Sequence, residues 1–211
     1  MEVINTADLV GLFGAWKAKF AAEREFLIAL DGKVGDSDLG ITMSKSFAAA
    51  HDALAAEPED ASIAKLLRTA GIIMAKTAPS TMGTLTATGF IRGSKALEAA
   101  KVIGVHEAAT LWRAFADGVA ERGKAKLGDK TLLDVLDPIA GALEHSVEAG
   151  DDLPTALTKA ASAAADALEA TKLLVAQHGK AAAFQEKGRG LQDAGATVGV
   201  FLIETMRDFV K

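Results

Sequence analysis

The chain contains no cysteine. That excludes a disulfide framework and a thiolate metal site, and it fits a reducing compartment. Tyrosine is also absent, aromatics make up 5% of the residues, and proline occurs only four times in 211 positions. Proline therefore seldom interrupts a helix. Lysine and arginine number 23 against 28 acidic residues, a net charge of −5. With no basic tail and no basic stripe interleaved with aromatics, the charge pattern argues against nucleic acid as a partner. No apolar run is long enough to span a bilayer, so no membrane partner is expected. The opening MEVINTADLVGLF lacks the basic and apolar regions of a signal peptide. The expectation is a cytoplasmic protein. There are four histidines, at 51, 106, 145 and 178, and none has the spacing of a metal pair. The first three read as helix-surface or packing residues, and His178, beside the last loop, is left open.

What the chain does have is a hydrophobic half, rich in alanine. This suffices for one sizeable core and predicts a single domain over 1–211. Alanine loses no side-chain entropy in a helix, so the composition favours helices. The periodicity agrees. Leu9, Phe13, Trp16, Phe20 and Leu27 recur at helical spacing and predict a helix over 6–30, with Thr6 and Asp8 as caps. Further helices are predicted over 41–56, from Ser62 to about 76, within 77–97, over 105–125, within 127–150, over 152–175 and after 195. No strand pattern is found. The class is all-α, with about eight helices in an antiparallel, up-and-down bundle.

The loops at 31–40, 77–84, 123–131 and 179–195 hold most of the Gly, Asp, Ser and Thr that helices do not need. In an up-and-down bundle alternate loops fall at the same end, so these four converge on one site. In the first loop, LDGKVGDSDLGITM sets Asp31, Asp36 and Asp38 in a D-x4-D-x-D spacing, with Gly35 and Gly40 to permit tight turns. Carboxylates this close repel unless a cation neutralises them. Magnesium, which takes oxygen ligands alongside phosphates, is one reading. A loop of aspartates capping the next helix is the other. The closing Glu and the loop length of an EF-hand are missing.

In the third loop, GKAKLGDKT looks like a P-loop with an aspartate inserted before the lysine. A P-loop follows a strand, and here a helix precedes. The segment reads better as a turn between helices, with Thr131 as N-cap. In the second loop, APSTMGT offers hydroxyls where a helix begins, which suits either an anion or an ordinary cap. The fourth, GKAAAFQEKGRGLQDAGA, brings Lys180, Lys187, Arg189 and Asp193.

Taken in order, LDGKVGDSDLGITM, PSTMGT, GKAKLGDKTL and GKAAAFQEKGRGLQDAGA resemble the signatures of the nucleotide-binding L subunit (DhaL) of dihydroxyacetone kinases, over nearly the whole chain. The resemblance implies a barrel of eight antiparallel helices with ADP or ATP bound at one end, and a pair of Mg²⁺ ions as its cofactor. The implied metal ligands are Asp31, Asp36 and Asp38. The implied nucleotide site is Leu39, Gly40, Ile41 and Thr42, with Ser80 and Thr81, then Gly123 and Leu132 near the base, Lys180, and Asp193, Ala194 and Gly195. The implied activity is phosphoryl transfer to a small keto-sugar held on a separate, DhaK-like substrate-binding subunit. A phosphotransferase-system protein is an alternative phosphoryl donor, and a homodimer an alternative assembly.

The sequence departs from the family pattern at several of these positions. Leu39 replaces a histidine, Thr42 an asparagine, Ser37 a glycine, Leu132 a methionine, and Lys180 and Lys187 two arginines. Lysine keeps the charge of arginine but loses the bidentate fork. A kinase subunit for another tetrose or ketose fits these changes, and so does a nucleotide-sensing regulatory module without catalysis of its own.

Overall fold

The computed structural model describes residues 1–211. Nine α-helices follow one another: α1 Thr6–Ala22, α2 Arg24–Asp31, α3 Leu39–Ala55, α4 Ile63–Thr77, α5 Thr81–Ala96, α6 Val105–Gly123, α7 Leu133–Ala149, α8 Leu153–Ala170 and α9 Ala194–Val210. The predicted helix over 6–30 is in fact two, because the chain leaves helical geometry at Glu23 (φ −90°, ψ 7°). The apolar spacing runs on across that break, which is why the sequence does not show it. There is no sheet, only one antiparallel bridge between Ile4 and Ile103.

Local chemistry sets the helix starts. Asn5, not Thr6, caps α1: its side chain accepts the Asp8 N–H at 2.9 Å and Asp8 accepts the Asn5 N–H at 3.0 Å. Ser62, Ser80, Asp152 and Asp193 cap α4, α5, α8 and α9 with one bond each, accepting the N–H three residues on. At α7 the N-cap position is Leu132, not the expected Thr131, and it has no side-chain cap; Thr131 stands one residue earlier, where its hydroxyl accepts the Leu133 N–H at 3.2 Å and Asp134 accepts the Thr131 N–H at 2.6 Å.

The helices close into a ring. α1 packs on α3 and α9, and each of α3 to α8 packs on the next helix in the chain. α2 lies against α3. The scarce aromatics are concentrated inside, where Phe13, Trp16, Phe47, Phe90 and Phe115 link four of the helices, with Phe20 stacked on Phe47 at 4.5 Å. The Trp16 Nε1–H donates to the Leu202 carbonyl at 2.9 Å and ties α1 to α9. Glycines bring α4, α5 and α6 close: a Cβ at Gly89 would overlap the Phe115 ring, and one at Gly71 would overlap the side chain of Ile91.

Candidate metal and nucleotide site

With consecutive helices antiparallel, the starts of α3, α5, α7 and α9 share an end with the last turns of α2, α4, α6 and α8. The four loops singled out by sequence are the connections at that end, and side chains tie them together. Lys180 of the last loop forms an ion pair with Asp36 of the first. Lys130 Nζ of the third loop donates to the carbonyls of Gly188 (2.7 Å) and Leu174 (3.3 Å) in the last. Gly195 in the first turn of α9 lies close to Met82 Sδ of α5 and to the Leu132 backbone nitrogen.

The three aspartates offer carboxylate oxygens that all lie within 4.8 Å of one another. Asp31 is the last residue of α2, Asp38 immediately precedes α3, and Asp36 lies in the turn between them. The Asp38 N–H donates to Asp31 Oδ2 at 3.1 Å, which fixes the turn. Burial, and then the neighbouring Asp31 charge, push the Asp38 carboxyl above its usual range. The residues fit a hard cation: they present only oxygens, face solvent, and repel one another without a counter-charge. A Cβ at Gly35 would run into the Asp31 carboxylate, so this cradle requires a glycine there.

The turn chemistry differs from the sequence expectation. The left-handed residue is Ser37, at φ 63°, whereas Gly35 and Gly40 have ordinary backbone angles. Gly40 lies inside α3, where a Cβ would overlap the Arg24 carbonyl of α2. It is there for close helix packing, not for a turn.

The other expected residues divide by what they can offer a ligand. Leu39, Gly40 and Thr42 are buried and Ile41 is partly buried. Leu39, Gly40 and Ile41 have first-turn N–H groups, which lack intrahelical partners and suit an anion. The Ser80 hydroxyl already accepts the Gly83 N–H at 3.1 Å, while Thr81 is exposed at the start of α5. Gly123 ends α6 and rests against Leu85. Leu132 is buried in the core beside Gly199. Asp193 caps α9 by accepting the Ala196 N–H at 2.7 Å, and burial pushes its carboxyl up to about 6. Ala194 and Gly195 form the first turn of that helix.

The apparent P-loop is a turn. Lys130 is 4% exposed and is committed to carbonyls of its own chain, so it is not available as a phosphate lysine. Burial lowers its pKa. Its neighbour Asp129 is also buried, and the Lys126 N–H and then His178 hold its carboxyl below the usual range. His178 Nε2 lies 2.9 Å from Asp129 Oδ2. Asp129, Lys130 and this role of His178 are not legible in the sequence, because nothing in GDKT marks its charges as buried. A solvent-open concavity of about 620 Å³ lies beside this turn, lined by Lys124, Lys126 and His178 among others, and none of the three metal-ligand candidates borders it.

Comparison with known proteins agrees with this architecture. A family model described as DAK2 domain matches residues 33–208. The chain is 35% identical over 187 residues to the ADP-binding subunit DhaL of the PEP-dependent dihydroxyacetone kinase of Escherichia coli, covering 89% of each protein. It is 36% identical over 213 residues to the L-erythrulose kinase of Pectobacterium atrosepticum, of which it spans only 35%. Among solved structures, the dihydroxyacetone kinase of C. freundii matches 96% of the chain in its native form, with a TM-score of 0.76 and 24% identity. The same enzyme in complex with AMP-PNP and Mg²⁺ gives a TM-score of 0.74 at 23% identity. These two likenesses speak to the fold, and the chain spans about a third of that enzyme.

Proposed function

The chain belongs to the DAK2-domain family, and from that premise we propose that it is the nucleotide- and Mg²⁺-binding subunit of a dihydroxyacetone-type kinase. The observation that carries this reading is the meeting, at one end of the barrel, of three carboxylates within 4.8 Å of one another and the start of α3. Asp31, Asp36 and Asp38 would be the ligands of a pair of Mg²⁺ ions in this proposal. Bound Mg²⁺ supplies neutralisation of phosphate charge. The chain's own contribution is positioning. The N–H groups of Leu39, Gly40 and Ile41, the Thr42 and Thr81 hydroxyls and the start of α9 at Asp193, Ala194 and Gly195 orient the phosphates. Gly123 and Leu132 lie on the base side. Ser80 acts by holding the start of α5, and Lys180 supplies a cation.

Phosphoryl transfer needs positioning and electrostatics more than a protein nucleophile, and no catalytic nucleophile is assigned. The acceptor is a small keto-sugar carried by a separate DhaK-like subunit, in the cytoplasm. The near-equal identities to a dihydroxyacetone kinase subunit and to an L-erythrulose kinase keep a four-carbon ketose beside the three-carbon one.

The test is titration calorimetry with ADP and with ATP, each with and without Mg²⁺, after analysis for co-purified nucleotide. Mg²⁺-dependent binding supports the proposal. Retained ADP then points to a bound cofactor recharged by a phosphotransferase-system protein, and free exchange points to ATP as donor. No binding under either condition refutes it.

A further inference from the structure

Asp129 and Lys130 are buried, charged and unused by the proposed chemistry, and both grip one segment. The Asp129 carbonyl accepts the Gln177 N–H at 3.0 Å, and its carboxylate lies 2.9 Å from His178 Nε2. Lys130 Nζ reaches the carbonyls of Leu174 (3.3 Å) and Gly188 (2.7 Å). These contacts hold residues 174–178 and residue 188, the two feet of a strap. Between the feet the chain is largely exposed and forms a 3₁₀ helix, Lys180–Gly188, that is broken at Gln185 (φ 47°). Gly179 (φ 65°) turns it away from the first foot, and Gly190 N–H donates to the Lys172 carbonyl at 2.7 Å just past the second. Across the site, the strap's one polar side-chain contact is that of Lys180 with Asp36.

We infer that the buried Asp129–Lys130 pair is a positioning clamp, which holds the strap so that Lys180 faces the aspartate cluster. This rests on the nucleotide and metal reading given above. Lysine has a long, flexible stem, and one on a loose strap would be spread over many directions. Two fixed feet about ten residues apart remove most of that freedom. The clamp also accounts for a lysine held at φ 59°, a conformation that costs a residue with a side chain about 1 kcal/mol or more. From that turn both Asp129 and Lys130 reach the strap's feet.

The experiment is a double-mutant cycle on Mg²⁺–ADP affinity, using Lys130→Met, Lys180→Ala and the pair, together with the rate of tryptic cleavage at Lys180, Lys187 and Arg189 in the wild type and in Lys130→Met. The clamp requires faster cleavage in Lys130→Met and a loss of affinity of about tenfold, the scale on which supporting residues act. In the Lys180→Ala background that loss falls below about twofold, since Lys130 then has nothing left to position. The same tenfold loss in both backgrounds, or unchanged cleavage, overturns the inference. His178→Ala, at a half-exposed side chain, carries the same comparison should Lys130→Met not fold. If the wild type binds no Mg²⁺–ADP, the nucleotide reading fails, and the cleavage rates alone decide the clamp.

Discussion

Asp31→Asn should make the metal-free protein more stable and the loaded protein less so. Asp31 stands within 4.8 Å of two other carboxylates. A pair of charges at that distance repels by about 1 kcal/mol at the dielectric of water, the appropriate limit for this solvent-facing cluster. Asp36 is partly compensated by Lys180, so relief from the two neighbours together comes to about 1–2 kcal/mol. Asp31 is also the last residue of α2, where the helix dipole disfavours a negative charge by a further ~0.3–1 kcal/mol. Asparagine keeps an oxygen for the Asp38 N–H, but the neutral hydrogen bond is weaker than the one to a carboxylate and offsets about that helix-end gain, so the net stays at about 1–2 kcal/mol. For a chain of this size, 1–2 kcal/mol moves the melting temperature up by about 3–6 °C. The wild type at a hundredfold excess of Mg²⁺–ADP over Kd gains about 2.7 kcal/mol, and the variant, which lacks one of the proposed ligands, should gain little. The order of stability should therefore invert. Scanning calorimetry in EDTA, and then with Mg²⁺ and ADP, reads both halves. A variant that melts below the wild type in EDTA, or that gains as much from Mg²⁺–ADP, refutes the reasoning.

Three further outcomes follow from the geometry. Ser37→Gly relieves a left-handed serine, worth ~1–2 kcal/mol, against ~0.5–1 kcal/mol of added chain entropy; the urea midpoint should rise slightly, and a fall would show that the serine side chain, packed against Gly32, holds the turn. Gly89→Ala drives a methyl into the Phe115 ring and should cost ~1–3 kcal/mol in urea unfolding, so an unchanged midpoint would contradict the close α5–α6 approach. Asp193 has a folded pKa of about 6, raised by burial above its ordinary 3.8, so the folded state binds the extra proton and this group's contribution to stability falls as pH rises from about 4 to about 6, then stays level. Asp193→Asn keeps the cap and removes that dependence, so it should gain on the wild type across this window and not above it; a stability difference that is flat from pH 4 to 8 would rule this out.

The helices are legible because their signals are local. Ser62 and Asp193 announce helix starts, and the spacing of Phe13, Trp16 and Phe20 marks a buried face whatever packs against it. The break at Glu23 is not local in this sense, since Arg24–Asp31 continues the apolar rhythm and is redirected by its packing on α3. The aspartate cluster is visible because its members are near in sequence. The convergence of the four loops follows from alternation in an up-and-down bundle. The contacts between those loops do not, because Lys180 and Asp36 are 144 residues apart, and Lys130 and Gly188 are 58 apart. No pattern within either segment specifies its partner. The meaning of the glycines is hidden for a related reason: Gly40 is explained by the carbonyl of Arg24, which only the folded chain brings near.

The same topology explains why this end of the barrel suits a metal and an anion together. Four helix starts lie there, and those of α3, α5 and α9 keep unpaired N–H groups and roughly half a positive charge to offer an anion, whereas the first N–H groups of α7 are bonded to Thr131 and Leu132. Three carboxylates stand beside one of them, at the start of α3. A phosphate alone would approach the helix starts against the field of the aspartates, and a divalent ion alone would satisfy the aspartates but oppose the helix dipoles. A phosphate carrying its own cation meets both fields favourably. Each ion then improves the site for the other by the same factor, as linkage requires. Lys180 partly fills the cation's role while it is paired with Asp36, at the lower charge of a single ammonium, which leaves the aspartates under-compensated and the site ready for a stronger counter-ion.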